Sequence, residues 1–260
     1  MFSKLSKLTS VALFSFSASF MAAQSANATI VQFQTVMGDF SVNLYDKTTP
    51  KTVENFLNYV KSGAYTNTII HRSVPGFVVQ GGGFKYPLAD AAQNAAVINE
   101  PVYANKRGTI AMAKLGGQPN SATNQWFFNL ADNSATLDPQ NGGFTVFGEV
   151  TGNGMAIIDA MAALSIFNFG SPLNELPLRN YTATDSTKGV PRTDKNYVMI
   201  LGVVVLDANV DSAASLTPAK TTYTPSTGGG SSSSGGGGGA MGWASLLMLL
   251  TLLGLGRSRR

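Results

Sequence analysis

The sequence predicts a mainly β protein, a closed antiparallel barrel of about eight strands capped by two α-helices. Three observations predict it. Short runs of alternating apolar and polar residues recur along the chain. Only two segments carry the spacing of an amphipathic helix. The strand-like runs also follow one another directly instead of alternating with helices, which suggests a closed antiparallel barrel.

Taken in order, residues 29–36 alternate Val31, Phe33 and Thr35 with Gln32 and Gln34, and Met37-Gly38-Asp39 turns this strand into a second over 40–45. A helix follows. Thr48 or Thr49 is placed to cap it, Pro50 suits its first turn, and Val53, Phe56, Leu57 and Val60 make a stripe that ends at Gly63. Further strands are predicted over 68–73, 76–81, 109–113, 125–130, 144–150 and 197–206, with a second helix over 155–164. Residues 165–196, with Pro172, Pro177 and Pro191, are long for a connection in a compact domain and are expected to wrap the barrel or to meet a partner, the wrap being the simpler reading.

Composition narrows the function. The chain has 260 residues, 44% hydrophobic and 12% charged, which suits one well-buried domain with appendages and excludes a disordered polymer. Of 28 glycines, 11 lie in the last 33 residues, so the rest is of ordinary globular composition. The net charge of +4 is also a property of the ends: Lys4, Lys7, Arg257, Arg259 and Arg260 supply five positives with no nearby acid. Residues 29–227 therefore hold 13 bases against 14 acids, a net charge of −1. Nucleic-acid binding loses its electrostatic basis. With no cysteine and one histidine, thiol chemistry, Cys/His zinc sites and disulfides are excluded. There is no Asp-rich calcium loop and no Gly-x-Ser-x-Gly turn, so neither a metal site nor a serine hydrolase is expected.

Both ends read as membrane signals. Lys4 and Lys7 precede an uncharged, mostly apolar stretch and then Ala26-Asn27-Ala28, the pattern of a signal peptide over residues 1–28 with cleavage before Thr29. A Thr/Ser/Gly-rich linker covers 211–239, and residues 240–256 are uncharged and end at a basic cluster. Seventeen such residues are at the lower limit for a bilayer span. The plain expectation is a single-pass anchor that holds a domain of residues 29–210 outside the cytoplasm. The order of glycine run, Met241-Gly242-Trp243, apolar stretch and terminal arginines also resembles the bacterial GlyGly-CTERM sorting signal. That resemblance implies trimming by a rhomboid-like protease after signal peptidase has acted, and delivery to the periplasm, cell surface or medium.

The informative segment is Ile69-Ile70-His71-Arg72-Ser73-Val74-Pro75-Gly76-Phe77-Val78-Val79-Gln80-Gly81-Gly82-Gly83. An arginine and a glutamine in so apolar a run need partners when their strands are buried, because an unpaired polar group costs a few kcal/mol. A structural ion pair would satisfy this. Together with Gly108-Thr109-Ile110-Ala111-Met112-Ala113, Gln125-Trp126-Phe127-Phe128-Asn129 and Val146-Phe147-Gly148, however, the segment resembles the cyclophilin family of peptidyl-prolyl cis-trans isomerases, and the resemblance spans residues 30–206.

The resemblance implies a cyclophilin-like barrel and an enzyme that accelerates X-Pro rotation in exported proteins. It implies Arg72 as the catalytic residue and an apolar ring pocket of Phe77, Met112, Phe127, Leu137 and Phe144. Gln80, with Ala113 and the backbone near Lys114, would hold the substrate carbonyl and flanking residues. His71 would lie beside the site, as a substrate contact or as a hydrogen-bonded structural residue, and Trp126 would be core. No cofactor is required, the partners are proline-containing polypeptides, and a monomer is expected. Thr136 precedes Leu137-Asp138 where eukaryotic members carry tryptophan, and Phe144 stands where they carry histidine; both departures bear on cyclosporin binding and not on activity. The other reading is a surface-displayed module or chaperone that binds proline-containing loops with incidental turnover.

Overall fold

The computed structural model describes residues 29–208 and 216–223. The signal-peptide, glycine-run and sorting-tail expectations lie outside the described residues. No helix among the described residues is long and apolar enough to cross a membrane.

The strands are β1 Ile30–Thr35, β2 Phe40–Leu44, β3 Thr68–Ile69, β4 Arg72–Val74, β5 Val78–Gly81, β6 Phe84–Lys85, β7 Ala89–Asp90, β8 Thr109–Met112, β9 Trp126–Asn129, β10 Val146–Val150, β11 Ser165–Phe167, β12 Leu176–Leu178 and β13 Met199–Asp207. The helices are α1 Pro50–Lys61, α2 Ser134–Leu137, α3 Gly154–Ala162 and α4 Ala183–Thr187. Eleven strands form one antiparallel sheet in the order β4-β5-β9-β8-β10-β2-β1-β13-β3-β6-β7. β3 and β4 are successive parts of one chain segment, β4 at one end of the order and β3 next to the β6–β7 extension at the other, so that segment is a single stave that closes the sheet on itself. Between them Ile70 donates its N–H to Val198 at 2.9 Å and His71 donates to Gln80 at 3.2 Å, so pairing passes from β13 to β5 within two residues. With β6 and β7 set aside as an extension, eight staves remain, as the periodicity predicts.

Strand alternation sends one set of side chains inward and the other outward. The inner set includes Val31, Phe33, Phe40, Val42, Val79, Ile110, Met112, Trp126, Phe128 and Phe147, together with Phe56 of α1 and Ile158 of α3. Its centre is aromatic: Phe33 stacks on Phe40 at 5.1 Å and meets Trp126 and Phe128 edge-on. Each such ring contributes roughly 1.5 to 3 kcal/mol of burial. Two long helices match the expected pair, while α2 and α4 are short additions that the helical stripe was too short to reveal.

The start of α1 differs from its expected capping. Thr49 occupies the cap position, but its hydroxyl donates to the Tyr45 carbonyl. The first-turn N–H groups of Lys51 and Thr52 instead meet the carboxylate of Glu100, at 3.3 and 2.9 Å. A residue about fifty positions away satisfies those donors, which local sequence could not announce.

Residues 165–196 wrap the barrel. They fold into the β11–β12 hairpin and α4, which carries a Thr182/Asp185 capping box. Leu173, Leu176, Leu178 and Tyr181 pack on Ile69, Phe84 and Met199 in a second apolar cluster. Part of the expected linker is also attached: Ala104 donates to Ala219 at 2.8 Å and Thr221 donates to Val102 at 3.0 Å.

Candidate functional site

The site is built on the outer face of four neighbouring strands. Arg72 on β4 lies opposite Gln80 on β5, Gln80 lies opposite Phe127 on β9, and Phe127 lies opposite Ala111 on β8. Directly paired residues share a face, with Cβ atoms about 5 Å apart, so a cation, an amide and an aromatic ring form one row across the sheet.

Phe127, Val78, Ala111, Leu137, Phe144, Tyr45 and Val146 form a third apolar cluster, with Phe77 and Ala113 packed against it. Phe127 and Phe144 meet edge-on at 5.8 Å. Of the ring-pocket residues expected from the sequence, Phe77, Phe127, Leu137 and Phe144 come together here. Met112 does not. It alternates to the inner face and is fully buried in the barrel core, and Val78, two residues before Gln80 on β5, holds a place on the outer cluster. The reason is strand parity: Ala111 and Ala113 share the outward face and Met112 falls between them.

A polar network beneath the rings fixes their backbones. Asn105 donates to Asp138 through its N–H and Nδ2, at 3.0 and 2.9 Å, and to the carbonyl of Phe144 at 3.3 Å. Asn129 donates to the Asn105 amide oxygen at 3.2 Å, and Asn133 donates to Asn129 Oδ1 at 2.7 Å and to the carbonyl of Phe77 at 2.8 Å. All four side chains are buried, so each bond holds in a low-dielectric setting. The sequence reading missed this network because its members are scattered over 34 positions and none stands out alone.

At the polar end Arg72 donates Nη1–H to Gln80 Oε1 at 3.3 Å and Nε–H to Glu175 Oε2 at 2.7 Å. Nη2 is buried and has no hydrogen-bond partner among the described residues. Burial pulls the guanidinium pKa down and the Glu175 carboxylate opposes that pull; an arginine so placed stays charged at neutral pH. His71 is fully buried beside Phe84, its rings meeting edge-on at 5.0 Å. Burial first, and the Arg72 charge second, bring its pKa down to about 3, so it is neutral at physiological pH.

Lys114 turns its side chain away from the polar end. Its ammonium donates to the carbonyls of Asn141 and Gly143 and lies 4.8 Å from the Phe144 ring centroid, with burial bringing its pKa down to about 8. It fastens the loop that delivers Phe144. Thr136 is exposed on α2, next to buried Leu137. Trp126 lies in the inner core, as expected.

The run Gly81-Gly82-Gly83 has a steric cause. A Cβ on Gly82, which sits at φ +85°, would stand 2.6 Å from the Asn124 carbonyl oxygen. The close approach brings β9 and Gln125 against β5. Among the described residues no group of three or more His, Cys, Asp or Glu is placed to hold a metal ion.

Comparison with known proteins bears on this arrangement. The family described as "Cyclophilin type peptidyl-prolyl cis-trans isomerase/CLD" matches residues 30–183. The chain is 41% identical over 174 residues to peptidyl-prolyl cis-trans isomerase A of Dickeya dadantii, covering 65% of this chain and 88% of that one. It is 38% identical over 149 residues to a peptidyl-prolyl cis-trans isomerase of Acinetobacter baylyi, covering 56% of this chain and 78% of that protein. A crystal structure of a cyclophilin type peptidyl-prolyl cis-trans isomerase from Cryptosporidium parvum superposes with a TM-score of 0.50 at 22% identity, over 69% of this chain and 98% of that chain, and shares the fold.

Proposed function

This chain belongs to the cyclophilin-type family of peptidyl-prolyl cis-trans isomerases, and from that premise we propose that Arg72 lowers the barrier to rotation of an X-Pro bond whose proline ring rests on Phe127. The protein is a peptidyl-prolyl cis-trans isomerase. Rotation about the bond faces a barrier of ~18 to 20 kcal/mol because the nitrogen lone pair is conjugated with the carbonyl. No bond is made or broken. Anything that favours the twisted, pyramidal nitrogen over the planar one speeds the reaction.

The row of Arg72, Gln80 and Phe127 is the observation that carries the mechanism. A proline ring seated among Phe77, Phe127, Leu137 and Phe144 places its nitrogen toward the polar end of that row. The Arg72 guanidinium then donates to the lone pair as conjugation breaks, an interaction present in the twisted state and absent from the planar one. Gln80 orients the guanidinium and holds the substrate backbone, with the backbone at Ala113 and Lys114 completing the groove. His71, neutral and buried, acts as a packing neighbour of Arg72.

The clients are proline-containing segments of exported proteins, where uncatalysed isomerisation takes ~10 to 100 s and limits folding. Support comes from the signal-peptide pattern of residues 1–28 and the sorting-signal pattern of residues 228–260, both of which are patterns of exported proteins.

The test of the catalytic role is Arg72→Ala against Arg72→Lys on a proline-containing peptide. Arg72→Ala lowers kcat/KM by about tenfold or more with the fold intact, and Arg72→Lys recovers little of it, because a point ammonium lacks the planar fork. Full activity in a folded Arg72→Ala protein overturns the mechanism.

A further inference from the structure

Residues 165–196 bring one side chain to the site from outside the barrel staves. Glu175 lies immediately before β12, between Leu173 and Leu176, both buried against Ile69, Phe84 and Met199. Its carbonyl accepts the N–H of Ser73 at 2.8 Å, and its carboxylate accepts Arg72 Nε–H at 2.7 Å. Backbone and side chain of one residue thus grip two successive residues of β4. The Arg72 side chain is 10% exposed and that of Glu175 25%, so the pair is partly withdrawn from water and worth more than a surface ion pair.

The consequence for Arg72 is geometric. A guanidinium on four rotatable bonds reaches many orientations, and only a narrow set serves one substrate geometry. Gln80 holds Nη1 and Glu175 holds Nε. Two anchored nitrogens fix a planar group completely.

We infer that Glu175 is a positioning residue for catalysis, which clamps the Arg72 guanidinium in the orientation that the twisted X-Pro bond requires. This rests on the assignment of Arg72 as catalytic residue, and the inserted hairpin is thereby part of the catalytic apparatus, not only packing on the barrel.

The experiment is a double-mutant cycle with steady-state kinetics on a proline-containing peptide, using the full chain. Glu175→Ala lowers kcat by about fivefold with KM nearly unchanged, because the clamp acts on the orientation of a group used in the twisted state. Glu175→Gln keeps an acceptor for Nε and recovers at least half of the lost kcat, whereas Glu175→Met, of similar volume with no acceptor, does not. In an Arg72→Ala background Glu175→Ala has no further effect. Should Glu175→Ala disturb the hairpin, the comparison of Gln with Met decides alone, with thermal unfolding confirming equal folds. Wild-type kcat in folded Glu175→Met, or an equal loss in the Arg72→Ala background, overturns the inference. Full activity in Arg72→Ala by itself instead overturns the catalytic assignment of Arg72, so the two failures are distinguishable.

Discussion

Gln80 and Gln125 are joined side chain to side chain across the β5–β9 pair, Nε2 of the first donating to Oε1 of the second at 2.9 Å. The bond settles which end of the Gln80 amide faces Arg72: the oxygen does, accepting from Nη1. Gln125 stands two residues before Phe127 and so shares its outward face. It is a component of the site that the sequence motif contains but does not single out.

Loss of that bond frees the Gln80 amide to turn. Gln125→Ala is therefore expected to lower kcat/KM by about three- to tenfold, in the range of one lost buried hydrogen bond. Peptide isomerisation followed by exchange NMR at equal protein concentrations measures it, and an unchanged rate would show that Gln80 is oriented without its neighbour.

Met112 provides a contrast with the outer cluster. Truncating a fully buried core methionine costs about 2 to 5 kcal/mol, so Met112→Ala should shift the urea midpoint strongly. The folded fraction should keep nearly the wild-type KM, whereas Phe127→Ala raises KM. A large rise in KM for Met112→Ala in fully folded protein would place that side chain back on the substrate.

His71 makes the domain acid-sensitive. Its folded pKa of about 3 lies below the ordinary 6.5, so between these values the unfolded chain binds the proton and the folded one does not. Its contribution to stability is full above pH 6.5 and is lost as pH falls toward 3, at up to about 1.4 kcal/mol per pH unit. Denaturation curves across that window should show this slope in wild type and lose it in His71→Leu. Parallel curves for the two proteins would mean that His71 takes up its proton in the folded state.

The ends of the chain are tested by intact mass. Protein recovered from membranes and from medium of a host with a rhomboid-like sorting protease is expected to begin at Thr29 and to end within residues 228–240, without detergent dependence. Material that still carries Arg260 at steady state would identify a permanent anchor.

Much of this protein is determined by its sequence alone. The alternation of Val31, Phe33 and Val42 with polar neighbours, and the stripe of Val53, Phe56 and Val60, specify strands and a helix because period and burial are local consequences of backbone geometry. The motifs around Arg72, Gln80 and Phe127 likewise carry the family resemblance in the residues themselves. The tertiary structure alone decided how those pieces meet. Met112 lies in the core and Val78 on the outer cluster because strand parity sets which face each side chain takes. Glu100 caps a helix about fifty positions away, Asn133 holds the carbonyl of Phe77 at 2.8 Å, and Glu175 reaches Arg72 across 103 residues at 2.7 Å. Such pairings are set by which strands become neighbours when the barrel closes, and hydrogen-bonding and charged side chains have no periodic signature that foretells their distant partners.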